Sequence, residues 1–240
     1  MEIKMSHYIL VHGAWEGSWT WEYTQPVLER HGHTVTAIDL PGSHGNAQSI
    51  PQISLAGYVQ TVADVINQLD HEVILVGHSM AGAVISQVAE LIPEKIERLV
   101  YAAAFLLQNG DNVLAAMKRD PHGEFLPELS FSEDQSYATA TEQTFRDKAF
   151  HDVEEDRIRH TYPLMAERQA TEPFLASLEL SDEKFGTVPK TYIRTALDKM
   201  VSPTLQEEMI GSWKVDDVHV LTSGHFPTLS MPEELAELML

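Results

Sequence analysis

Residues 72–82 read Glu72-Val-Ile-Leu-Val76, followed by Gly77-His78-Ser79-Met80-Ala81-Gly82. The apolar run before Gly77 predicts a buried parallel strand, and the apolar spacing after Met80 predicts a helix over residues 81–91. A serine on such a sharp turn holds its hydroxyl out at the carboxyl end of the strand, facing the positive end of the helix dipole. Ser79 is therefore the candidate nucleophile.

The turn departs at one position from the pattern Gly-x-Ser-x-Gly. Ala81 stands where the pattern has glycine, and Gly82 comes directly after it. Alanine is small, so we expect the strand and the helix still to pass close together. The alternative, a tight connection with an incidental serine, is disfavoured by the position of the turn between a strand and a helix.

Strand and helix patterns alternate on both sides of this turn. Strands are predicted over residues 8–11, 34–38, 72–76, 96–105, 190–194 and 218–221. Helices are predicted over residues 19–30, 53–69, 81–91, 203–213 and 232–240. This alternation predicts an α/β fold with a mostly parallel six-stranded sheet and helices on both faces.

Residues 109–186 interrupt the alternation. The segment is polar, has no visible strand pattern, and contains the aromatic residues Phe125, Phe131, Tyr137, Phe145, Phe150, Tyr162 and Phe174. A loop of this length without structure would be unusual. We predict a helical cap inserted after the fourth strand, with residues 1–108 and 187–240 as the core. The alternative is a set of peripheral helices whose aromatic residues only pack.

A serine hydroxyl needs a base that takes its proton. Among twelve histidines, His225 stands out because it follows the last predicted strand, at the sheet edge where Ser79 is expected. We expect His12 and His78 to hold their loops through hydrogen bonds. Other histidines lie in polar stretches typical of a protein surface: His31, His33, His122, His151 and His160.

The base needs a carboxylate that orients it and stabilises its charged form. Asp198 follows the fifth predicted strand and is the preferred candidate, which gives the chain order Ser79, Asp198, His225. Asp111, after the fourth strand, is a rival. Asp216 and Asp217 precede their strand, so we expect them at the opposite edge of the sheet.

Acyl transfer also needs donors aimed at a developing oxyanion. The backbone N–H of Met80, directly after the candidate nucleophile, is one candidate. The other is the backbone N–H of Ala14, since Gly13 lets the loop after the first strand turn sharply.

Charge and composition exclude several classes of protein. A formal net charge of -20 disfavours binding to nucleic acid and to anionic membranes. With no cysteine, a disulfide framework, a thiolate nucleophile and a cysteine metal site are excluded. The His, Asp and Glu residues do not show the paired spacing that is typical of metal ligands, so we predict no metal site. We also expect no cofactor. No signal peptide is visible at residues 1–7, and we expect a cytoplasmic protein.

Together these residues resemble the α/β-hydrolase group of plant methyl esterases (salicylate-binding type), plant hydroxynitrile lyases and bacterial esterase relatives. The matching segments span nearly the whole chain: Leu10-Val-His-Gly-Ala14 with Trp19, residues 32–40, Gly77-His-Ser-Met80, Tyr192-Ile193 leading to Asp198-Lys199, and Gly224-His225 before Pro232-Glu233. The resemblance implies an α/β-hydrolase fold and a carboxylesterase-type serine hydrolase that forms an acyl-enzyme on Ser79. The resemblance implies a small-molecule ester as the binding partner. Whether the chain forms a homodimer is left open.

Two alternatives to an esterase remain. Family lyases typically carry Thr after the first strand, Glu before the nucleophile and Lys after the base histidine. This chain has Ala14, His78 and Phe226 at those positions. Because no lysine at 226 could hold departing cyanide, the resemblance favours hydrolysis. The other alternative is a non-catalytic protein that binds a small ligand, since some plant hormone receptors resemble this fold.

Overall fold

The computed structural model describes residues 5–43, 46 and 48–240. The signal-peptide prediction lies partly outside the described residues, because it includes residues 1–4. Among the described residues, no helix is both long and apolar enough to cross a lipid bilayer.

A six-stranded sheet in which every pair of neighbouring strands is parallel forms the centre of the molecule. Its strands are β1 (His7–Val11), β2 (Thr34–Ile38), β3 (Val73–His78), β4 (Ile96–Ala102), β8 (Lys190–Thr195) and β9 (Asp217–Leu221). The order across the sheet is β2-β1-β3-β4-β8-β9. The predicted parallel sheet is confirmed, and β3 lies in its interior with Ser79 directly beyond its carboxyl end.

Helices cover both faces of this sheet, as predicted. They are α1 (Gln25–Arg30), α2 (Leu55–Asn67), α3 (Ala81–Leu91), α8 (Pro203–Ile210), α9 (Pro227–Ser230) and α10 (Pro232–Met239). Alternate residues of the strands point to opposite faces. Ile9 and Leu75 pack in the apolar cluster of α2 and α3, whereas Leu10 and Ile74 pack in the cluster of α1 and α10.

The helix predicted over residues 19–30 is wrong in its first half. Ser18–Trp21 form a 3-10 turn, and the α-helix begins only at Gln25. Pro26 lies at the start of α1. Backbone N–H groups in the first turn have no acceptor within the helix, so proline, which lacks an N–H, is tolerated there. The proline therefore starts this helix rather than continuing one.

The segment between β4 and β8 contains strands that the sequence did not indicate. Its helices are α4 (Val113–Arg119), α5 (Glu142–Lys148), α6 (Glu155–Thr161) and α7 (Glu172–Leu175). Beside them, β5 (Ser130–Phe131), β6 (Tyr137–Thr139) and β7 (Gln169–Ala170) form a small antiparallel sheet. Strands of two or three residues are too short to show alternation of apolar and polar positions. The cap boundaries at 109 and 186 stay a prediction.

Two backbone segments pack closely at the turn around Ser79. Ser79 has φ 53°, in the left-handed region that most residues avoid. Its N–H donates to the carbonyl of Ala102, and its carbonyl accepts from the N–H of Phe105. A Cβ at Gly82 would lie 2.4 Å from the Phe105 oxygen and 2.7 Å from its nitrogen. Gly82 therefore allows the chain after β4 to pass against the serine turn.

We expect Gly82→Ala to lower the free energy of unfolding by about 3 kcal/mol, because the added methyl group overlaps backbone atoms that cannot give way locally. Gly211→Ala is the matched control, since its Cβ would meet only ordinary contacts and its φ is -68°. The measurement is urea unfolding of both variants. Equal stability of the two variants would contradict the proposed close approach.

Candidate active site

The structure brings Ser79, His225 and Asp198 together in one buried row at the carboxyl edge of the sheet. The Ser79 hydroxyl lies 2.8 Å from Nε2 of His225, and Nδ1 of His225 lies 2.8 Å from Oδ2 of Asp198. All three side chains are buried. With Nδ1–H donating to the carboxylate, Nε2 keeps its lone pair and accepts from the serine. This is the arrangement that a serine nucleophile requires.

Asp198 is held by several donors besides His225. Its Oδ1 accepts from the backbone N–H groups of Met200 and Val201, at 2.8 and 3.0 Å. Its Oδ2 accepts from the Thr195 hydroxyl at 3.0 Å. A carboxylate fixed in this way keeps the imidazole in one orientation and one tautomer.

The rival acids lie elsewhere. Asp111 pairs with Arg119 at 2.6 Å near the protein surface. Asp216 accepts from the N–H of Lys190 at the start of β8, and Asp217 begins β9. Both of these residues are therefore at the amino edge of the sheet, opposite the candidate site, as the sequence predicted.

The two amides predicted to face an oxyanion are free to donate. No acceptor for the N–H of Ala14 or of Met80 lies among the residues that the structure describes. A Cβ at Gly13 would lie 2.8 Å from the Cβ of Ser79, so only glycine allows the loop after β1 to pass this close. Both amides therefore adjoin the Ser79 turn.

Gln169 is a site residue that the sequence did not reveal. Trp15 has φ 62°, and its N–H donates to Oε1 of Gln169 at 2.8 Å. The carbonyl of Trp15 accepts from the N–H of Ala166 at 2.8 Å. The segment between β4 and β8 thus fixes the loop that carries the Ala14 amide. The two residues in contact are 154 positions apart, so no local sequence pattern indicates the contact.

His12 and His78 make the loop-holding hydrogen bonds predicted for them. Nδ1 of His12 donates to the carbonyl of Gly13, and its Nε2 accepts from the N–H of Leu40. His78 contacts Glu16 and the carbonyl of His225. Most histidines predicted at the surface are exposed, namely His31, His122, His151 and His160, whereas His33 is half-buried.

A narrow cavity adjoins Ser79 and His225. Apart from these two residues and Glu16, its lining is apolar: Ala14, Trp15, Met80, Phe105, Met117, Phe125, Phe145, Phe174, Met200, Val201 and Phe226. A second narrow cavity shares Trp15, Met117 and Phe174 with the first. Of the aromatic residues noted between residues 109 and 186, Phe125, Phe145 and Phe174 line the cavity beside Ser79.

Residues 8–238 match the model of the alpha/beta hydrolase family. The chain is 34% identical to putative methylesterase 11, chloroplastic, of Arabidopsis thaliana, covering all of this chain and 64% of that protein. It is 31% identical to methylesterase 17 of the same plant, covering 99% of this chain and 91% of that protein. The chain thus spans slightly under two thirds of the first relative and nearly all of the second.

Solved structures agree with this likeness. A pyrethroid hydrolase from Sphingobium faniae JZ-2 is 26% identical and superposes with a TM-score of 0.85, over 98% of this chain and 95% of that chain. The six-stranded core and the segment between β4 and β8 therefore form an arrangement that is found in other proteins.

We expect a fluorophosphonate probe to label Ser79, and Asp198→Asn to slow labelling on the order of 10³-fold or more, because the imidazole loses its orientation. Asp111→Asn is the matched control and should label at the wild-type rate. The measurement is the second-order rate constant of labelling. A larger loss in Asp111→Asn would mean that Asp111 is the acid.

Proposed function

The chain belongs to the alpha/beta hydrolase family, and we propose that it is a carboxylesterase-type serine hydrolase that cleaves a small carboxylic ester. The observation that carries this proposal is the unbroken row from Asp198 through His225 to the Ser79 hydroxyl, with hydrogen-bond distances of 2.8 Å on both sides of the imidazole. The amides of Ala14 and Met80 beside it, which meet no acceptor within the described part of the chain, support the same reaction.

In the first half of the reaction, the ester carbonyl lies beside Ser79 with its oxygen at the amides of Ala14 and Met80. The Ser79 oxygen attacks the carbonyl carbon while His225 Nε2 takes the hydroxyl proton. The two amides stabilise the negative charge that develops on the carbonyl oxygen. His225 then gives its proton to the leaving alcohol, and the acyl group stays on Ser79.

In the second half, water attacks the acyl-enzyme. His225 takes a proton from the water and returns it to the Ser79 oxygen as the acid leaves. Asp198 keeps the imidazole in place and stabilises its charged form in both halves. The surrounding apolar wall strengthens these electrostatic interactions because it excludes water.

The substrate class follows from the lining of the cavity. Phe125, Phe145 and Phe174 face the space beside Ser79, and the one carboxylate there, Glu16, is already paired with His78. This wall suits an ester with an apolar alkyl or aryl group. The relatives named methylesterases and the structure named a pyrethroid hydrolase support ester hydrolysis.

The alternatives are less well supported. Phe226 is buried beside His225, at the position where family lyases carry lysine. A protein that only binds a ligand would not need the hydrogen-bonded row of Asp198, His225 and Ser79. Cytoplasmic localisation stays a prediction, and three of the plant relatives are named chloroplastic.

We expect Ser79→Ala to lower kcat/KM for p-nitrophenyl acetate on the order of 10⁴-fold or more, because alanine lacks the hydroxyl that attacks the ester. Ser86→Ala is a matched control, since this buried serine on α3 bonds to Tyr101 and not to His225. Initial rates of p-nitrophenol release measure both variants. Retained hydrolysis in Ser79→Ala would overturn the proposed nucleophile.

The apolar wall leads to a further expectation. The kcat/KM for p-nitrophenyl butyrate should exceed that for mono-p-nitrophenyl succinate by about 100-fold or more, because the second ester would bury a carboxylate without a partner. The two acyl chains are similar in length, so size does not confound the comparison. Equal values would mean that the acyl group does not enter this cavity.

A further inference from the structure

Glu16 and His78 form a contact in the protein interior that the proposed mechanism does not use. Glu16 lies in the loop after β1, and His78 is the last residue of β3, next to Ser79. Nδ1 of His78 lies 2.9 and 3.1 Å from the two oxygens of the Glu16 carboxylate. The residues are 2% and 0% exposed, so water cannot substitute for either partner.

The other contacts of the pair decide where the protons lie. Nε2 of His78 faces the backbone carbonyl of His225 at 2.8 Å, and a carbonyl only accepts, so Nε2 carries a proton. Oε2 of Glu16 also accepts from the Thr20 hydroxyl at 2.8 Å. This donor stabilises the ionised carboxylate. With Glu16 ionised, the proton between the two residues lies on Nδ1, so we assign His78 as an imidazolium beside an ionised Glu16.

The electrostatic surroundings agree with this assignment. Burial opposes charge on both groups, but their mutual attraction and hydrogen bonds outweigh it, so the pKa of His78 is raised and the pKa of Glu16 is lowered. The other titratable groups near His78 are Asp198, His12 and His225. Burial lowers the pKa of His12, whose Nε2 accepts from Leu40 and is therefore unprotonated.

The pair joins the three parts of the candidate site. Glu16 belongs to the loop that carries the Ala14 amide, and a Cβ at Gly13 would lie 2.4 Å from its Oε1. His78 precedes Ser79, and its ring bonds to the backbone of His225. One charge-assisted contact thus connects the oxyanion loop, the nucleophile turn and the loop of the base.

We propose that Glu16 and His78 are positioning residues, an ion pair that fixes the Ala14 amide and His225 relative to Ser79. This inference rests on the proposed esterase function. Hydrogen bonds between ionised partners are about twice as strong as neutral ones, which suits a contact that must hold two loops. The pair has no net charge, so it adds none where the oxyanion and the charged form of His225 develop.

Glu16→Gln tests the role of the charge. The amide keeps the size of the side chain and its reach to Thr20 and His78, but removes the ion pair. We expect kcat for p-nitrophenyl acetate to fall about 10- to 100-fold while KM changes less than about 3-fold, because small displacements of the loop cost rate rather than binding. The labelling rate of Ser79 with a fluorophosphonate should fall by a similar factor.

Glu90→Gln is the matched control. Glu90 lies near the far end of α3, and its carboxylate accepts from the N–H groups of Ser181 and Phe185 and from the Ser181 hydroxyl. This variant also removes a hydrogen-bonded carboxylate that holds a loop, but away from Ser79. We expect it to lower stability while kcat stays within about 2-fold of wild type. A general effect of lost stability would instead lower kcat in both variants and overturn the proposal.

Proton-detected NMR of the histidine rings in the wild-type protein gives a second test. We expect two ring N–H protons on His78 at pH 6.5, and one in Glu16→Gln. A single ring N–H in the wild type would overturn the ion pair, even if Glu16→Gln does not fold.

The outcomes separate this inference from the proposed function. If the wild type hydrolyses esters and Ser79→Ala does not, an unchanged kcat in Glu16→Gln would overturn the positioning role alone. If the wild type hydrolyses no ester, the proposed function is wrong, and the fluorophosphonate labelling rate decides whether Glu16 positions the Ser79 site.

Discussion

The close approach of two backbone segments at the turn around Ser79 is the constraint on which the rest of the structure depends. Ser79 adopts φ 53°, which costs free energy that the surrounding structure must offset. The hydrogen bonds to Ala102 and Phe105 hold the turn in place, and Gly82 leaves room for the Phe105 backbone. The hydroxyl is thereby held at the carboxyl edge of the sheet rather than packed between strand and helix.

Other segments reach this fixed point by polar contacts. The loop after β8 brings Asp198 and the loop after β9 brings His225, while Gln169 holds the backbone of Trp15 in the loop after β1. The serine hydroxyl lies where these contacts converge, under an apolar wall. Precise placement of hydrogen-bonding groups in a site that excludes water is what stabilises a developing charge.

Much of the fold and of the candidate site could be predicted because the signals are local. The strands are short apolar runs; Ser79 directly follows one of them, and Asp198 and His225 lie in the loops after two others. A parallel sheet gathers such residues at one edge whatever the details of packing. Asp198 and Asp111 both follow a predicted strand and both fit the chain order Ser, Asp, His, so the sequence left Asp111 as a rival. The structure places Asp198 beside His225 and pairs Asp111 with Arg119.

The features that sequence did not reveal depend on contacts between distant residues. Gln169 meets Trp15, and Glu16 meets His78, through packing of segments far apart in the chain. The strands β5, β6 and β7 are too short to carry a pattern of their own. In the N-terminal region, apolar spacing over residues 19–30 predicted one helix, but Pro26 begins a new one.

In the proposed reaction, the ester transfers its acyl group to Ser79. Rapid quenching of the enzyme with excess p-nitrophenyl butyrate, followed by mass spectrometry of its peptides, detects this acyl group. We expect a burst of p-nitrophenol close to one equivalent, with the butyryl mass on the peptide that contains Ser79. Two results would contradict acyl transfer to Ser79. One is steady turnover with no butyrylated peptide under conditions that show a burst, and the other is the butyryl mass on another residue.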